Sequence, residues 1–275
     1  MVAVVTGANS GIGYETALGL AQRGATVTLA CRDEQRGQEA LKSLLETCPE
    51  CKFDLKRLDV SDFADIDRFV TEFKKDHKRL DILVNNAGIM MPPERELSKD
   101  GFELQMATNH LGPYLLTGKL MPLLSASVSP RVVAVSSLMA WKGKEYGSIE
   151  FHRDYDYHPQ QVYADSKLDN LLFMRELGKR YPHLTSVAAH PGGTSTNLQK
   201  HKYGSFKFAM QSAKWGSLPS LKAALDPVAP QGAYFGPYFA LFGSPADAYF
   251  PGLAKDPMYT RRMWDATAKA TDFKY

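Results

Sequence analysis

Residues 2–13 read Val-Ala-Val-Val-Thr-Gly-Ala-Asn-Ser-Gly-Ile-Gly, and this stretch decides the fold. Its first four residues are an apolar run typical of a buried parallel strand. The glycines that follow form a turn, and residues 14–23 have the pattern of a helix that ends at Gly24. Free backbone N–H groups and the positive end of the helix dipole meet at such a helix N-terminus. A strand, a glycine turn and a helix in this order therefore predict a pyrophosphate site.

The three glycines of this turn have separate predicted roles. Gly7 permits the tight turn, Gly11 allows close approach of the backbone to a phosphate, and Gly13 allows close packing of helix and strand. An ordinary turn with glycines chosen for conformation is the simpler alternative. The nucleotide interpretation is preferred because the strand and the helix both stand where it requires them. The predicted cofactor contacts in the turn are Gly7, Asn9, Ser10, Gly11, Ile12 and Gly13.

Tyr163 and Lys167 lie four residues apart in a predicted helix and therefore share one face of it. A neighbouring ammonium favours the ionised form of a phenol, whose unperturbed pKa is about 10. A tyrosine in this setting can act as an acid or a base closer to neutral pH. The spacing alone is weak, because chance often produces it. It gains weight from the glycine turn upstream.

Six motifs follow one another in an order that resembles the short-chain dehydrogenase/reductase family. They are Thr6 to Gly13, Asn85-Asn86-Ala87-Gly88, Asn109 in Asn-His-Leu-Gly, Ser137 in Val-Ser-Ser, Tyr163-x-x-x-Lys167, and Pro191-Gly192. The glycine spacing at positions 7, 11 and 13 is that family's own version of the dinucleotide motif, wider than G-x-G-x-x-G. The resemblance extends over essentially the whole chain and implies a nicotinamide-dependent oxidoreductase.

The resemblance implies a catalytic set of Asn109, Ser137, Tyr163 and Lys167. Tyr163 would pass a proton to or from the substrate oxygen, and Lys167 would lower the pKa of Tyr163 and hold the nicotinamide ribose. Ser137, preferred to Ser136 on the family pattern, would hydrogen-bond the substrate oxygen. Asn109 would anchor a water that links Lys167 to solvent. Taken singly, Asn109 also fits a helix-interior amide bonded to backbone, and Ser137 fits a turn former at a strand end.

The cofactor can be predicted from Cys31-Arg32 at the end of the second predicted strand, where NAD-binding chains often carry a carboxylate. The planar guanidinium of an arginine pairs bidentately with phosphate oxygens. By family analogy, Arg32 therefore implies NADP(H) and makes NAD(H) the less favoured cofactor. Arg32 also fits an ordinary surface residue, and Asp33 could still turn toward the ribose.

Asp59 and Val60 follow the third predicted strand and resemble the family's adenine contact. Asp59 also fits a helix cap, although Ser61 could supply that cap instead. Farther along, Asn85 and Asn86 are expected to tie the fourth strand to its neighbour. The remaining cofactor contacts implied by the family motifs are Asn86, Ala87, Gly88, Tyr163, Lys167, Pro191, Gly192 and Thr196.

Strands and helices alternate along the chain. The predicted strands are 2–5, 26–31, 53–59, 81–85, 131–136, 186–189 and 248–250, and the predicted helices are 14–23, 34–47, 62–77, 101–125, 160–180, 232–242 and 256–270. This alternation predicts a doubly wound parallel sheet of the Rossmann type, in three α/β/α layers with right-handed crossovers. Ligands of such sheets bind at the carboxyl ends of the strands, where the motifs fall.

Length and composition agree with one domain over residues 1–275. A chain of 275 residues with 44% hydrophobic content can bury one large core. A net charge of +3 with scattered basic residues does not favour a nucleic-acid partner. The first strand starts at Val2 without a leader, and no apolar run reaches the roughly 18 residues of a transmembrane helix. A cytoplasmic protein is therefore predicted.

The stretch between Ser137 and Tyr163 is longer than in the family's shorter members. With Cys-Arg-Asp and Asn-His-Leu-Gly, it is similar to the branch of the retinol dehydrogenases and WW-domain oxidoreductases. Residues 198–230 mix aromatic residues and methionine with lysines, which predicts an amphipathic lid over the substrate pocket or, alternatively, a surface helix packed on the core. A lid of this kind implies a lipophilic substrate, and peripheral membrane contact is a weaker interpretation. Homodimers and homotetramers are common in the family.

Two groups of residues have metal-like or redox-like spacing. Cys48 and Cys51 could form a redox pair or half a zinc site, but no second pair exists and the position is remote from the predicted cofactor face. Three cysteines in a cytosolic chain do not favour structural disulfides. The second group alternates with other residues as in an exposed loop, and it comprises His152, Asp154, Asp156 and His158. Hydride transfer needs no metal, and none is predicted.

Together these features predict an NADP(H)-dependent alcohol dehydrogenase or carbonyl reductase with Tyr163 as its acid/base. Its substrate would be a lipophilic alcohol or carbonyl compound of retinoid, steroid or lipid-aldehyde type. One alternative is a cofactor-binding regulatory or redox-sensing protein with little turnover, against which the intact catalytic set counts. A second is a nucleotide-sugar epimerase or dehydratase, which shares Y-x-x-x-K but usually has a larger C-terminal substrate region.

Overall fold

The structure is a computed structural model that describes residues 1–144, 157–195 and 210–275. Short runs rich in valine, alanine and threonine form much of its sheet, as expected for strands covered on both faces. The strands are β1 (Val2–Thr6), β2 (Thr26–Cys31), β3 (Lys52–Arg57), β4 (Ile82–Asn85), β5 (Arg131–Val135), β6 (Thr185–Ala189), β7 (Tyr234–Pro237) and β8 (Pro245–Asp247).

The strands of the described residues lie in one sheet in the order β3-β2-β1-β4-β5-β6-β7-β8. All neighbouring strands pair in parallel except β7 and β8, which are antiparallel. The strand order reverses between β1 and β4, where Val5 lies opposite Val84. At such a switch point a crevice opens beyond the carboxyl ends of the strands. The glycine turn after β1 and the Asn-Asn-Ala-Gly motif after β4 therefore leave the sheet side by side.

Helices cover both faces of the sheet. They are α1 (Gly11–Ala21), α2 (Glu34–Thr47), α3 (Phe63–Asp76), α4 (Leu104–Met106), a π-helical turn (Ala107–Leu111), α5 (Gly112–Ser125), a 3₁₀ helix (Leu138–Lys142), α6 (Pro159–Arg180), α7 (Ala213–Leu225), α8 (Gly252–Lys255) and α9 (Pro257–Thr271). One core cluster joins α1, α2 and α7 to the sheet, and another joins α3, α5, α6 and α9 to its other face. The predicted three-layer Rossmann fold is confirmed.

Successive residues of β1 point to opposite faces of the sheet. Val4 packs in the core with α3, α5 and α6, whereas Val5 packs in the core with α1 and α7. Both side chains are fully buried, and each such burial stabilises the fold by roughly 1.5–3 kcal/mol. A continuous apolar run, rather than alternation with polar residues, is what a sheet covered on both faces requires.

The predicted helix 101–125 is interrupted in the structure. Three α-helical residues are followed by the π-helical turn Ala107–Leu111, and α5 begins at Gly112. A Cβ at Gly112 would overlap the carbonyl oxygen of Val60, so only glycine permits this close approach. π-helical turns occur mostly as single turns and often at functional sites. This one carries Asn109.

The predicted helix 232–242 is wrong. Residues Tyr234–Pro237 form β7, and a turn follows. Gly236 packs against the ring of His190, and Pro237 cannot continue a helix in this place. The strand predicted at 248–250 lies instead at Pro245–Asp247. A short aromatic run is compatible with both a buried strand and a helix, so periodicity alone does not separate them.

Cys48 and Cys51 form a disulfide, so the expectation against structural disulfides was wrong. The N–H of Cys51 donates to the carbonyl of Cys48 at 3.1 Å, and this tight turn between α2 and β3 brings the two buried sulfurs together. The turn lies at the amino end of β3. It is therefore at the opposite edge of the sheet from the predicted cofactor crevice.

Only part of the predicted lid lies within the described residues. Ala213–Leu225 forms α7, the crossover helix between β6 and β7, and its Leu221 packs over Gly19 of α1. This part agrees with the alternative of a helix packed on the core, and a lid stays a prediction for residues 198–209. His152, Asp154 and Asp156 also lie outside the described residues. Among the helices that are described, none has the length and hydrophobicity needed to cross a membrane.

Candidate active site

The predicted site residues of the described chain gather at one edge of the sheet. The glycine turn follows β1, the Asn-Asn-Ala-Gly motif follows β4, Ser137 follows β5 and Pro191 follows β6. Tyr163 lies near the start of α6, and a helix that follows a parallel strand begins at this same edge. Residues far apart in the chain therefore meet beyond the carboxyl ends of the strands.

The backbone of the glycine turn requires its glycines. Gly7 has φ +65° and Gly11 has φ +58°, a left-handed region that strongly favours glycine. Gly13 is needed for space, because a Cβ there would meet the carbonyl oxygen of Gly7 and the side-chain amide of Asn86. Gly13 therefore packs closely against the turn itself and against the segment after β4.

The start of α1 leaves backbone donors exposed at this turn. Ser10 is the N-cap residue, and its side chain makes no capping hydrogen bond within the described chain. The first N–H groups of a helix have no carbonyl partner in the helix. Thr6 holds the neighbouring segment in place, because its Oγ1 accepts hydrogen bonds from the N–H groups of Asn86 (3.0 Å) and Ala87 (2.9 Å). This cradle fits the pyrophosphate of a dinucleotide.

Arg32 and Asp33 have different environments at the end of β2. Asp33 caps α2 and accepts the N–H of Arg36 at 3.0 Å, so its carboxylate is committed to the helix. Arg32 is exposed, and its guanidinium has no ion-pair partner in the described parts of the chain. Of these two residues, Arg32 is thus the one available to a phosphate beyond β2.

Cys31 connects β2 to the glycine turn, a contact that the sequence did not reveal. Its buried sulfur lies near the backbone N–H groups of Ala8 and Asn9, and burial raises the pKa of the thiol to about 11. The thiol therefore stays protonated at neutral pH. Its role is to support the turn.

Asp59 does not cap the helix that follows it, and neither does Ser61. The Asp59 carboxylate accepts the N–H (3.0 Å) and hydroxyl (2.6 Å) of Ser61. The N-cap of α3 is Asp62, which accepts the N–H of Asp65 at 3.2 Å. Neither cap alternative holds, because α3 begins at Phe63, one residue later than a cap at Ser61 requires and three residues later than a cap at Asp59 requires.

Tyr163 and Lys167 are both buried at the centre of the site. The Lys167 amine lies 5.7 Å from the centre of the Tyr163 ring and donates to the carbonyl of Val135 at 3.1 Å. Burial raises the pKa of Tyr163 to about 12, and the nearby hydroxyl of Ser137 opposes this rise. Burial lowers the pKa of Lys167 to about 8. Burial is the largest influence on both pKa values, and the Lys167 amine is directed to a backbone carbonyl; the lowering of the tyrosine pKa by Lys167 stays a prediction.

Ser136 and Ser137 have separate roles. The hydroxyl of Ser136 is buried and donates to the carbonyl of Lys167 at 2.6 Å, which joins β5 to α6. Ser137 is partly exposed, caps the 3₁₀ helix by accepting the N–H of Met139, and reaches Tyr163. Of the two serines, Ser137 is therefore the more accessible one, and its catalytic role stays a prediction.

Asn109 is bonded on both sides of its amide. Nδ2 donates to the carbonyl of Ile89 and to Oγ of Ser166, both at 3.0 Å, and Oδ1 accepts the N–H of Ile89 at 2.9 Å. A Cβ at Gly88 would lie 3.0 Å from Asn109 Oδ1 and 3.4 Å from Lys167 Nζ. Asn109 is therefore bonded to the backbone, as the simpler alternative for this residue predicted. It also lies beside Lys167, as the family pattern requires.

The Pro191-Gly192 turn is fastened by segments distant in the chain. Gly192 has φ +66°, and a Cβ there would lie 2.5 Å from the carbonyl oxygen of Leu241. The carbonyl of Pro191 accepts Nε2 of Gln211 at 2.6 Å. No local motif pointed to Gln211. Thr196 lies outside the described residues, so its contact with the carboxamide stays a prediction.

Tyr234 of β7 is a residue at the site that sequence reasoning missed. Its buried phenol lies close enough to Tyr163 for the two groups to interact electrostatically, its hydroxyl has no hydrogen-bond partner among the described residues, and burial raises its pKa. The segment around Tyr234 was predicted as a helix, which would not have brought this side chain to the site. Only a correct prediction of strand β7 would have placed Tyr234 at the site.

Comparison with known proteins agrees with this geometry. The model of a family described as short chain dehydrogenase matches residues 1–205. Retinol dehydrogenase 11 from Homo sapiens is 36% identical over 279 residues, which cover 97% of this chain and 84% of that protein. Retinol dehydrogenase 12 from Homo sapiens is 35% identical over 289 residues, which cover 100% of this chain and 87% of that protein. The crystal structure of an uncharacterised protein from Mycobacterium paratuberculosis has a TM-score of 0.84 and 34% sequence identity, and the match covers 100% of this chain and 94% of that one.

The chain therefore belongs to the short-chain dehydrogenase/reductase family, a class of oxidoreductases, as the motif order predicted. Within this family it falls in the branch of the retinol dehydrogenases. The predicted branch is confirmed as well.

Proposed function

We propose that this protein is an NADP(H)-dependent oxidoreductase that interconverts a lipophilic alcohol and its carbonyl compound, of retinoid, steroid or lipid-aldehyde type. The observation that carries the proposal is the convergence of Asn109, Ser137, Tyr163 and Lys167 beside the glycine turn. The relatives named retinol dehydrogenase 11 and 12 support an alcohol of this class. One catalytic domain over residues 1–275 and a cytoplasmic location stay predictions.

The residues of the crevice fit a dinucleotide. The glycine turn and the first turn of α1 would hold the pyrophosphate, and the exposed guanidinium of Arg32 would pair with a 2′-phosphate. Asp59 and Val60 would lie at the adenine, and the segment 86–88 would lie along the chain of the cofactor. When bound, the nicotinamide supplies or accepts the hydride.

Tyr163 would exchange a proton with the substrate oxygen, and Ser137, which lies near the phenol, would orient the same oxygen. With a pKa of about 12, the phenol is protonated at neutral pH and is ready to act as an acid during reduction. Oxidation requires the phenolate, which a nearby ammonium stabilises. Lys167, with a pKa of about 8, is mostly protonated at neutral pH and can have this effect.

A carbonyl-panel assay with NADPH and with NADH tests the proposal. We expect turnover of long-chain aldehydes and all-trans-retinal, with NADPH preferred at least about tenfold because charged hydrogen bonds to the 2′-phosphate contribute on the order of 1.5–3 kcal/mol. Tyr163→Phe should bind NADPH normally and lose on the order of 100-fold or more in kcat. Tyr249→Phe, at an 83% exposed position, is the control and should be unchanged.

Two results would count against the enzyme. Binding of NADPH without turnover of any carbonyl or alcohol would favour the regulatory alternative. Full activity of Tyr163→Phe would remove the assigned acid.

A further inference from the structure

Gln105 is a fully buried residue of α4, and its side-chain amide joins three segments of the chain. Its Oε1 accepts the N–H of Met91 at 2.7 Å. Its Nε2 donates to the hydroxyl of Tyr157 at 2.9 Å and to the carbonyl of Pro159 at 3.0 Å. The oxygen and both N–H groups of the amide therefore have partners, as a buried amide requires. One side chain thus connects the segment after β4 to the first turn of α6.

The segment after β4 is held by two amides. Met91 has φ +51°, a conformation that a residue with a side chain keeps only where its surroundings impose it. Asn109, four residues after Gln105, holds the same segment two residues earlier, through the N–H and the carbonyl of Ile89. The two amides therefore fix the backbone that directly follows Gly88, one of the predicted cofactor contacts.

The same two amides hold the part of α6 that carries Tyr163. Gln105 donates to the carbonyl of Pro159 at the start of this helix. Asn109 donates to Oγ of Ser166 at 3.0 Å. Pro159, Tyr163 and Ser166 follow the spacing i, i+4 and i+7, so they lie along one face of the helix. Tyr163 therefore lies between the two points at which the amides hold α6.

Tyr157 secures the Gln105 amide from the other side. Its hydroxyl accepts Nε2 of Gln105 and donates to Oε1 of Glu103 at 3.2 Å. The buried Glu103 carboxylate is also the N-cap of α4 and accepts the N–H of Met106 at 2.7 Å. Tyr157 precedes α6 by two residues in the long stretch between Ser137 and Tyr163. This part of the stretch is thereby tied to the same amide.

We propose that Gln105 is a positioning residue that fixes residues 88–91 against the start of α6, and so sets where the nicotinamide lies relative to Tyr163. The inference rests on the proposed function, because this placement matters to turnover only if Tyr163 transfers a proton to or from a substrate. Glu103 and Tyr157 support the Gln105 amide. None of these three residues was among the predicted site residues.

Gln105→Met tests the role, because methionine keeps the length of the side chain and removes all three hydrogen bonds. Gln231→Met is the matched control. The Gln231 amide also accepts one backbone N–H, and it donates to the carbonyls of Gly178 and Leu184. Gly178 lies fifteen residues beyond Tyr163 on α6, roughly 22 Å along the helix. Gln231 therefore anchors the same helix by the same kind of contact, but far from the candidate site.

The two variants should differ in turnover. We expect Gln105→Met to lower kcat with NADPH about tenfold, because a small displacement of reacting groups has a large effect on rate. Gln231→Met should change kcat less than about twofold. Both variants are assayed at a temperature at which each is folded, and a thermal melt of each gives the comparison with stability.

Cofactor binding gives a readout that needs no turnover. Residues 88–91 would border the nicotinamide half of NADPH, which the half-cofactor 2′,5′-ADP lacks. The glycine turn and Arg32 would hold the adenosine half in every variant. Gln105→Met should therefore raise the Kd of NADPH about threefold and leave the Kd of 2′,5′-ADP within about twofold. Gln231→Met should leave both constants within about twofold.

Tyr157→Phe is a milder second variant at a partly exposed position. It removes the hydroxyl that accepts from Gln105 and leaves the bonds of the amide to Met91 and Pro159. We expect kcat to fall about threefold, whereas Tyr249→Phe, at its exposed position, should match the parent.

The proposal is wrong if Gln105→Met and Gln231→Met lose activity in proportion to their melting temperatures. It is also wrong if Gln105→Met leaves the ratio of the Kd of NADPH to that of 2′,5′-ADP unchanged. Should Gln105→Met fail to fold, Tyr157→Phe gives the decision, and activity equal to that of Tyr249→Phe would overturn the inference.

The proposed function can fail separately from this inference. If the parent protein binds NADPH without turning over any substrate, the proposed function fails, and the ratio of the two Kd values still decides the positioning role. If the parent binds neither NADPH nor NADH, the proposed function and this inference are both wrong.

Discussion

Replacing Gly88 with alanine would add a Cβ between two side chains of the candidate site. The added carbon would lie 3.0 Å from Asn109 Oδ1, closer than an ordinary contact, and 3.4 Å from Lys167 Nζ, at the lower limit of one. Three hydrogen bonds to Ile89 and Ser166 hold the Asn109 amide, so it can retreat only by weakening them. Overpacking of this kind costs about 1–3 kcal/mol. A displacement of even about 1 Å at a reacting centre can lower a rate on the order of 100-fold.

We therefore expect Gly88→Ala to lower kcat about 10- to 100-fold and to lower the melting temperature by several degrees, at about 2–4 °C per kcal/mol. Steady-state kinetics with NADPH and a thermal melt measure the two effects. Gly252→Ala is the control, because a Cβ there meets no atom within 4 Å. If Gly88→Ala keeps the parent kcat while its melting temperature falls, the close packing around Asn109 and Lys167 has no bearing on turnover.

Three further predictions concern the cofactor, pH and the disulfide. Arg32→Ala should lower kcat/KM for NADPH at least about tenfold and leave that for NADH unchanged, and equal losses with both cofactors would contradict the 2′-phosphate contact. Burial lowers the pKa of Lys167 from 10.5 to about 8, so between these values the unfolded chain binds more protons and stability rises with pH. We therefore expect Lys167→Met to raise the unfolding free energy, and this increase should be about 2 kcal/mol smaller at about pH 9.5 than at about pH 7.5 in urea titrations. An increase that does not depend on pH would refute the lowered pKa. Cys48→Ser with Cys51→Ser should lower the unfolding free energy by about 2 kcal/mol without changing NADPH affinity, since the disulfide lies at the opposite edge of the sheet, and weaker NADPH binding would show that the two edges are coupled.

Much of the fold could be predicted from local sequence, because most of the strands from β1 to β6 are short apolar or β-branched runs, and β3 alternates apolar with charged residues. The break before α5 could not, since it depends on contact between Gly112 and the carbonyl of Val60, which is distant in the chain. The strand at Tyr234–Pro237 was missed for a related reason. Its backbone pairs with β6, and only that pairing distinguishes an aromatic strand from a helix.

Residue types and their order determined which family the chain joins and which side chains are candidates for chemistry. Tyr163, Lys167 and Ser137 could be named because their motifs are local in the sequence. Tertiary structure decided what those groups contact and how they titrate. The amine of Lys167 donates to the carbonyl of Val135 in β5, and the same carbonyl accepts Nδ2 of Asn170 on α6. Hydrogen-bond partners and pKa values depend on burial, and burial is a property of the assembled core rather than of any single segment.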